Sequence, residues 1–173
     1  KEESLGINYL YAMVPEQMLP KVQRAMQSIR KLLLRYFAGL LLEVVSVCIL
    51  VTTGMLITGL SLTQSMLIGL FAGILNMIPY IGPVIGICFG LFIGAVSQLQ
   101  VLQPESLPIH LFWMLVVFLA VQLIDNLVFQ PLIYSGSVHA HPLEIFLVIM
   151  AGATVAGIPG MIAAVPTYTV LRV

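Results

Sequence analysis

Long apolar runs, separated by short polar or Gly/Pro-rich stretches, dominate the sequence from residue 36 onward. Two runs, residues 36–60 and 109–129, contain twenty or more residues, enough to cross a hydrocarbon core of about 30 Å. Four shorter runs of twelve to seventeen residues form two pairs: 65–78 with 83–99, and 143–156 with 160–171. We therefore predict an all-α polytopic membrane protein in which each short pair forms either a re-entrant hairpin or two tilted spans.

The first 35 residues are more polar and predict a different environment. From residue 18 onward, apolar side chains recur at helical spacing and basic side chains fall on another face: Met18, Val22, Met26, Ile29 and Leu33 against Arg24, Lys31 and Arg35. This pattern predicts a basic amphipathic helix that lies on an anionic membrane surface and leads into the first span. A solvated helix packed on its own domain is the alternative. We assign residues 1–35 to the end of a soluble or interfacial region and 36–173 to a transmembrane domain.

Composition and charge agree with this pattern. Of the 173 residues, 60% are hydrophobic and only 8% charged, whereas about 25% of the residues in a soluble domain are charged. No Lys or Arg lies between Tyr36 and Leu171, so we interpret the basic cluster before the first span as a topology signal, of the kind expected on the cytoplasmic side. The charge pattern gives no indication of nucleic-acid binding.

Residues 76–83, N-M-I-P-Y-I-G-P, break the backbone inside the most apolar part of the chain. In a bilayer, irregular backbone survives only when it is buried in protein or lines a wet cavity. Pro79 and Pro83 lack an N–H, and each frees a carbonyl one turn earlier that a ligand could use. We predict that five residues of this break line a substrate or ion pathway: Asn76, Pro79, Tyr80, Gly82 and Pro83. A tight surface turn capped by Asn76 is the alternative.

A second break, A-G-I-P-G at 156–160, stands in a corresponding place in the last pair of short runs. Two Gly/Pro-interrupted segments in corresponding places are a sequence indication of a transporter's binding site. Small residues also recur at every fourth position around both breaks: Gly82, Gly86, Gly90 and Gly94, and Gly152, Ala156, Gly160 and Ala164. This spacing predicts helices whose backbones approach closely.

The run at 109–129 ends in a polar constellation in which Gln122, Asp125, Asn126 and Phe129 share one helical face. A carboxylate that faces lipid is too costly to expect, so Asp125 should point into the bundle or into a water-filled path. Its role is either proton or cation coupling or a structural clamp with Asn126. We include Gln122, Asp125 and Asn126 in the predicted pathway.

Glu43 poses the same question in the first span. It belongs to a stripe of small and polar residues that either packs on another helix or lines the route. Because it lies seven residues after Tyr36, a position near the cytoplasmic interface, paired with Arg35 through water, is the alternative. We include Glu43 in the predicted pathway.

Other chemistry has little support in the sequence. The H-x-H of His139 and His141 lacks a third ligand at recognisable spacing, and Glu144 is expected to stabilise a helix N-terminus. We predict no metal, cofactor or catalytic residue. Signatures of an intramembrane protease, such as G-x-G-D or H-E-x-x-H, are absent from the sequence, so we predict a transporter, with a non-transporting membrane scaffold as the alternative.

Four stretches, in this order, resemble the autoinducer-2 exporter (AI-2E) family of bacterial permeases: Y-F-A-G-L-L-L-E at 36–43, G-I-L-N-M-I-P-Y-I-G-P at 73–83, Q-L-I-D-N-L-V-F-Q-P at 122–131, and H-P-L-E through G-I-P-G-M-I-A-A-V-P at 141–166. The resemblance covers nearly all of the chain but only the C-terminal half of a typical member, whose earlier helices are expected before Lys1. It implies a multi-pass, homo-oligomeric inner-membrane exporter of small molecules such as autoinducer-2. Some relatives are described as sodium or lithium/proton antiporters.

The sequence departs from the family pattern in two places. The turn at 61–64, S-L-T-Q, lacks the proline that members often have there, and Ile124 stands where members often carry a Glu before the Asp or Asn. The second departure removes one acid and weakens the expectation of cation coupling.

Overall fold

A computed structural model describes residues 18–78, 80–100, 106–134 and 142–172, and these ranges are helical and contain no strand. The elements are α1 (Leu19–Ile57), α2 (Leu62–Leu75), α3 (Ile81–Gln100), α4 (Leu107–Ile124), a π-helical turn (Asp125–Phe129), α5 (Gln130–Tyr134) and α6 (Pro142–Arg172). Three helical stretches are long and apolar enough to cross a membrane: Leu19–Ile57, Leu107–Leu132 and Leu143–Leu171. The predicted all-α membrane fold is confirmed.

Helix α1 joins the predicted amphipathic segment and the first predicted span in one helix of 39 residues. Pro20 lies in its first turn, where a missing N–H leaves no helical hydrogen bond unmade. At 1.5 Å per residue the helix is about 58 Å long, roughly twice the hydrocarbon thickness. Its basic N-terminal part therefore extends beyond any single crossing.

Helices α2 and α3 form an antiparallel pair that we call the first hairpin. Ser61 begins it with a capping box: its hydroxyl accepts a hydrogen bond from the Gln64 N–H (3.4 Å), and the Gln64 side chain accepts one from the Ser61 N–H (3.2 Å). The predicted polar turn at 61–64 is therefore also the start of a helix. Across the hairpin, the rings of Phe71 and Phe89 stack with centroids 4.0 Å apart.

The tip of the first hairpin, by which we mean residues 76–78 and 80, lies beside the middle of α1. Gly73 contacts Val44 and Cys48, and the tip itself reaches Glu43. Glu43 precedes Ile57 by 14 residues, which is about 21 Å along the helix. The tip therefore lies well away from the C-terminal end of α1, and whether the pair is a re-entrant hairpin or two tilted spans stays a prediction.

Helix α4 runs antiparallel to α1 and closes the bundle, with Val117 against Gly54 of α1 and Phe118 against Gly90 of α3. The apolar core between α1, the first hairpin and α4 contains these buried residues: Val47, Val51, Met55, Leu60, Ile68, Ala72, Met114, Phe118 and Val121. Burial of this core attaches the hairpin to both long helices, because apolar packing and close backbone approach act along its whole length.

Helix α6 is interrupted at Ala156 and Gly157, as the break predicted at 156–160 requires. Gly157 has φ 63°, a conformation that favours glycine. The Tyr168 hydroxyl donates to the Glu144 carboxylate at 2.8 Å, although 24 residues of straight helix would separate them by about 36 Å. The two arms therefore fold back on each other, and we call α6 the second hairpin. It packs on the buried Tyr36 and Leu40 of α1.

Candidate functional site

Three buried polar side chains from separate stretches of the sequence meet at the tip of the first hairpin. Glu43 of α1, Asn76 at the end of α2 and Asp125 of the π turn are 5%, 6% and 1% exposed. The Asn76 amide donates to Glu43 Oε1 at 2.8 Å, and the Glu43 and Asp125 carboxyl groups interact directly. The structure thus brings together residues that the sequence indicated one by one, and Glu43 faces this cluster instead of the exposed Arg35.

Asn76 has two roles in this arrangement. Its backbone N–H donates to the Ala72 carbonyl (3.0 Å) and ends α2, while its side chain holds Glu43. Small residues allow this approach, since a Cβ added to Gly73 would lie 2.7 Å from the Val44 carbonyl oxygen and 3.1 Å from Cys48 Cβ. The glycine therefore sets how closely the tip approaches Glu43.

Backbone hydrogen bonds occupy carbonyls at the end of α2 and in the described part of the tip. The carbonyls of Ala72, Ile74 and Leu75 in α2 and of Ile78 in the tip accept them. Pro83 lies in the first turn of α3, where its missing N–H leaves no helical bond broken. The carbonyl one turn before Pro83 belongs to Pro79, which lies outside the described residues, so the expectation of proline-freed carbonyls stays a prediction.

The π turn explains a site residue that the sequence analysis missed. The Gln130 N–H donates to the Asp125 carbonyl, a spacing of five residues that would place the two side chains about 140° apart on an α-helix. The wider turn puts them on one face, and the Gln130 amide donates to Asp125 Oδ2 at 3.1 Å. Phe129, expected on that face, packs instead beside the second hairpin. Pro131, which cannot donate to a preceding carbonyl, was the available signal of a disturbed helix.

Side-chain amides surround the Asp125 carboxylate and lead away from it. The Gln122 amide donates to Asp125 Oδ2 (3.4 Å) and to Asn126 Oδ1 (3.2 Å), and Gln130 also donates to Asn126 Oδ1 (2.9 Å). Gln122 and Gln130 are half-buried and Asn126 is exposed. The polar groups therefore form a continuous series from the buried carboxyl to the outside of the described bundle. π-helical turns of this kind are frequent at functional sites.

A cavity of about 20 Å³ lies beside the cluster, with room for about one water molecule. Its polar lining consists of Asn76, Gln122 and Asp125, and Pro83 also lines it. Gly82 is buried against the Leu75 carbonyl, which leaves no room for a Cβ. Tyr80 is 47% exposed and its ring contacts Phe146 of the second hairpin edge-on, with centroids 6.4 Å apart. Among the predicted tip residues, Asn76 and Pro83 therefore border the cavity.

The structure describes no group of three or more His, Cys, Asp or Glu side chains that could hold a metal ion within residues 18–78, 80–100, 106–134 and 142–172. His139 and His141 lie outside these ranges. Cys48 and Cys88 are free thiols on α1 and α3. Glu144 lies in the first turn of α6, as expected, and also accepts the Tyr168 hydrogen bond.

Comparison with known proteins agrees with these observations. The family described as "AI-2E family transporter" matches residues 6–173. "Putative transport protein YrrI" of Bacillus subtilis (strain 168) is 38% identical over 112 residues, which is 65% of this chain and 29% of the relative. "Putative transport protein YueF" of the same organism is 32% identical over 141 residues, 79% of this chain and 34% of the relative. The chain thus spans about a third of the length of these curated relatives.

No solved structure matches the chain at a significant level. Together with the apolar helices and their two breaks, the match shows that the chain belongs to the AI-2E family of membrane transporters.

Proposed function

We propose that this chain is part of a multi-pass permease of the bacterial inner membrane that exports a small polar molecule such as autoinducer-2. The observation that carries this proposal is the Glu43–Asn76–Asp125 cluster at the tip of the first hairpin. Ionisable groups inside a membrane bundle are expensive and usually mark a transport path. The carboxyl and amide groups of this cluster suit a neutral solute with hydroxyl groups, which both donates and accepts hydrogen bonds.

Movement of the first hairpin is part of the proposal. The cavity of about 20 Å³ takes about one water molecule, so a solute with several heavy atoms needs a wider opening. The hairpin tip meets α1 through the polar contact between Asn76 and Glu43, whereas the rest of the hairpin is packed by apolar and small residues. A displacement of the tip would therefore open the cavity while the core stays intact.

Two other functions would use the same cluster of polar side chains. The two buried carboxyl groups favour sodium or lithium/proton antiport as the second candidate, since hard monovalent cations and protons bind to oxygen. A non-transporting scaffold, in which the amides are structural hydrogen-bond partners, would use the same contacts only for stability.

Efflux from proteoliposomes that contain the full-length protein tests the proposal. We expect Asp125→Asn and Asn76→Ala to reduce autoinducer-2 efflux about tenfold or more, while the matched control Thr63→Ala, an exposed polar residue of the first hairpin, leaves it unchanged. Tenfold corresponds to the loss of about 1.4 kcal/mol of favourable interaction. Unchanged efflux in both folded variants would remove these residues from the pathway. Exchange of sodium or lithium for protons without solute efflux would support antiport, and loss of folding in both variants would support the scaffold.

A further inference from the structure

Two buried carboxylate oxygens of the candidate site have no hydrogen-bond donor among the described residues. Glu43 Oε2 and Asp125 Oδ1 are both buried and have no partner there, although the two carboxyl groups are close enough to interact directly. The other two oxygens are bound, Glu43 Oε1 by Asn76 and Asp125 Oδ2 by Gln122 and Gln130. Each of the two neighbouring carboxyl groups therefore keeps one buried oxygen that no described donor satisfies.

A pair of ionised carboxylates cannot be stable in this position. Two like charges a few Å apart in a weakly polarisable interior repel each other strongly, and neither can donate a hydrogen bond. Two carboxylates plus one proton give one carboxylic acid and one carboxylate, in which the acid O–H donates to the other group. One proton thus satisfies both orphaned oxygens and halves the charge.

The surroundings supply no other source of positive charge within the described residues. The basic side chains of α1 all lie at or before Arg35 and are exposed. Helices α2 and α3 contain no charged residue. The phenol of Tyr36, on the same helix as Glu43, interacts with Glu43 and donates its hydrogen bond to the Ile162 carbonyl. His110 of α4 precedes Asp125 by 15 residues, about 22 Å along the helix. In the second hairpin, Glu144 is held by Tyr168.

We propose that Glu43 and Asp125 hold a single proton between Oε2 and Oδ1, and that this proton fastens the tip of the first hairpin to the π turn. Because Asn76 is bound to Glu43, the shared proton links α1, the hairpin tip and Asp125 in one unit. Its loss leaves two negative charges in contact, and their repulsion moves the tip away and opens the cavity. This opening rests on the proposed transport function, whereas the proton site itself does not.

Infrared difference spectroscopy of the full-length protein in lipid vesicles tests the proton site. We expect the stretch of a protonated carboxyl group at neutral pH in the unsubstituted protein and its loss in Glu43→Gln, where the new amide N–H replaces the shared proton; in Asp125→Asn, which removes the carboxylate that accepts this proton, the stretch should shift in frequency. Glu144→Gln is the control and should keep the signal. Absence of the signal in the unsubstituted protein, or its full retention in both single variants, would overturn the proposal.

Thiol labelling tests the link between this proton and the hairpin tip. In a background with Cys48→Ala and Cys88→Ala, the buried Ile78→Cys is labelled with a water-soluble maleimide, and the exposed Thr63→Cys reports the pH dependence of the thiol chemistry itself. We expect labelling at 78 to increase about tenfold more than at 63 from mildly acidic to mildly alkaline pH. Glu43→Gln should abolish this excess. Equal increases at both positions would overturn the fastening role.

These two measurements need no substrate, so their outcome is separate from that of the proposed export. Efflux without a shared-proton signal would overturn this inference and leave the export proposal standing. A shared-proton signal and pH-dependent labelling in a protein without efflux would support the proton site and overturn export.

Discussion

The two hairpins have similar sequence patterns but different surroundings. Each pairs two short apolar helices around a Gly/Pro-containing break. The first lies between α1 and α4 and places Asn76 on the Glu43 carboxyl group, whereas most described side chains of the second are exposed or half-buried. The break at 156–157 has no carboxyl group in a comparable position among the described contacts. A broken helix therefore becomes a candidate site only where polar groups of other helices meet its tip.

The small residues explain much of this difference. In the second hairpin, Gly152 and Gly160 lie against each other, so their close approach holds its own two arms together. In the first hairpin, Gly73 faces α1, and Gly90 and Gly94 face α4. Glycines that face neighbouring helices allow a hairpin to pack closely in the bundle. Glycines that face each other only hold the two arms of one hairpin together.

Replacement of one buried carboxyl group at the tip of the first hairpin should lower the free energy of unfolding more than any other change considered. Glu43→Leu leaves the Asn76 amide and the Asp125 carboxyl without their partner, so we expect the free energy of unfolding to fall by about 3–5 kcal/mol. Glu144→Leu, in the exposed part of the second hairpin, should lower it by less than about 1 kcal/mol. Chemical unfolding of the full-length protein in detergent measures both changes in the free energy of unfolding. Equal changes in the two variants would contradict the proposed difference between the two hairpins.

Alanine substitutions should distinguish glycines that face a neighbouring helix from glycines that face the other arm of the same hairpin. Gly73→Ala places a Cβ against α1 and Gly152→Ala places one between the two arms of the second hairpin. We expect each to lower the free energy of unfolding by about 1–3 kcal/mol, since neither backbone contact can yield easily. Efflux should fall only in Gly73→Ala, because only that change displaces the tip from Glu43. Equal efflux in the two variants would show that hairpin position does not govern transport.

Removal of the amide that the π turn places on Asp125 should have an intermediate effect. Gln130→Ala removes a hydrogen bond to a buried carboxylate, so we expect the free energy of unfolding to fall by about 1.5–3 kcal/mol. Asn126→Ala, an exposed neighbour that does not bind Asp125, is the control and should cost less. Thermal unfolding checks the order of the two, and a reversed order would contradict the π-helical arrangement.

Loss of the hydrogen bond that joins the arms of the second hairpin should have the smallest effect. Tyr168→Phe removes the hydroxyl that donates to Glu144, and a bond of this kind at an exposed site contributes about 1 kcal/mol or less. We expect the midpoint of unfolding to shift slightly and efflux to stay unchanged. A large loss of efflux would place the second hairpin in the pathway and make the two hairpins functionally alike.

Much of the fold follows from local patterns in the sequence. The lengths of the apolar runs predict the helices, the clusters of proline and glycine predict both breaks, and the four-residue spacing of small residues predicts close helix packing. The cost of a charge in lipid predicts that Asp125 faces inward, and it is 1% exposed. These inferences succeed because the bilayer imposes a strong one-dimensional constraint on hydrophobicity and on backbone hydrogen bonding.

Which polar groups meet was decided only by the tertiary structure. Glu43, Asn76 and Asp125 are separated by dozens of residues, and their contact depends on the level at which the hairpin tip meets α1 and α4. Gln130 joins them because a π turn changes the angle between neighbouring side chains, which an assumed period of 3.6 residues misplaces. Local sequence thus determined helices, breaks and buried faces, whereas helix register, which arises from packing between distant segments, determined the site.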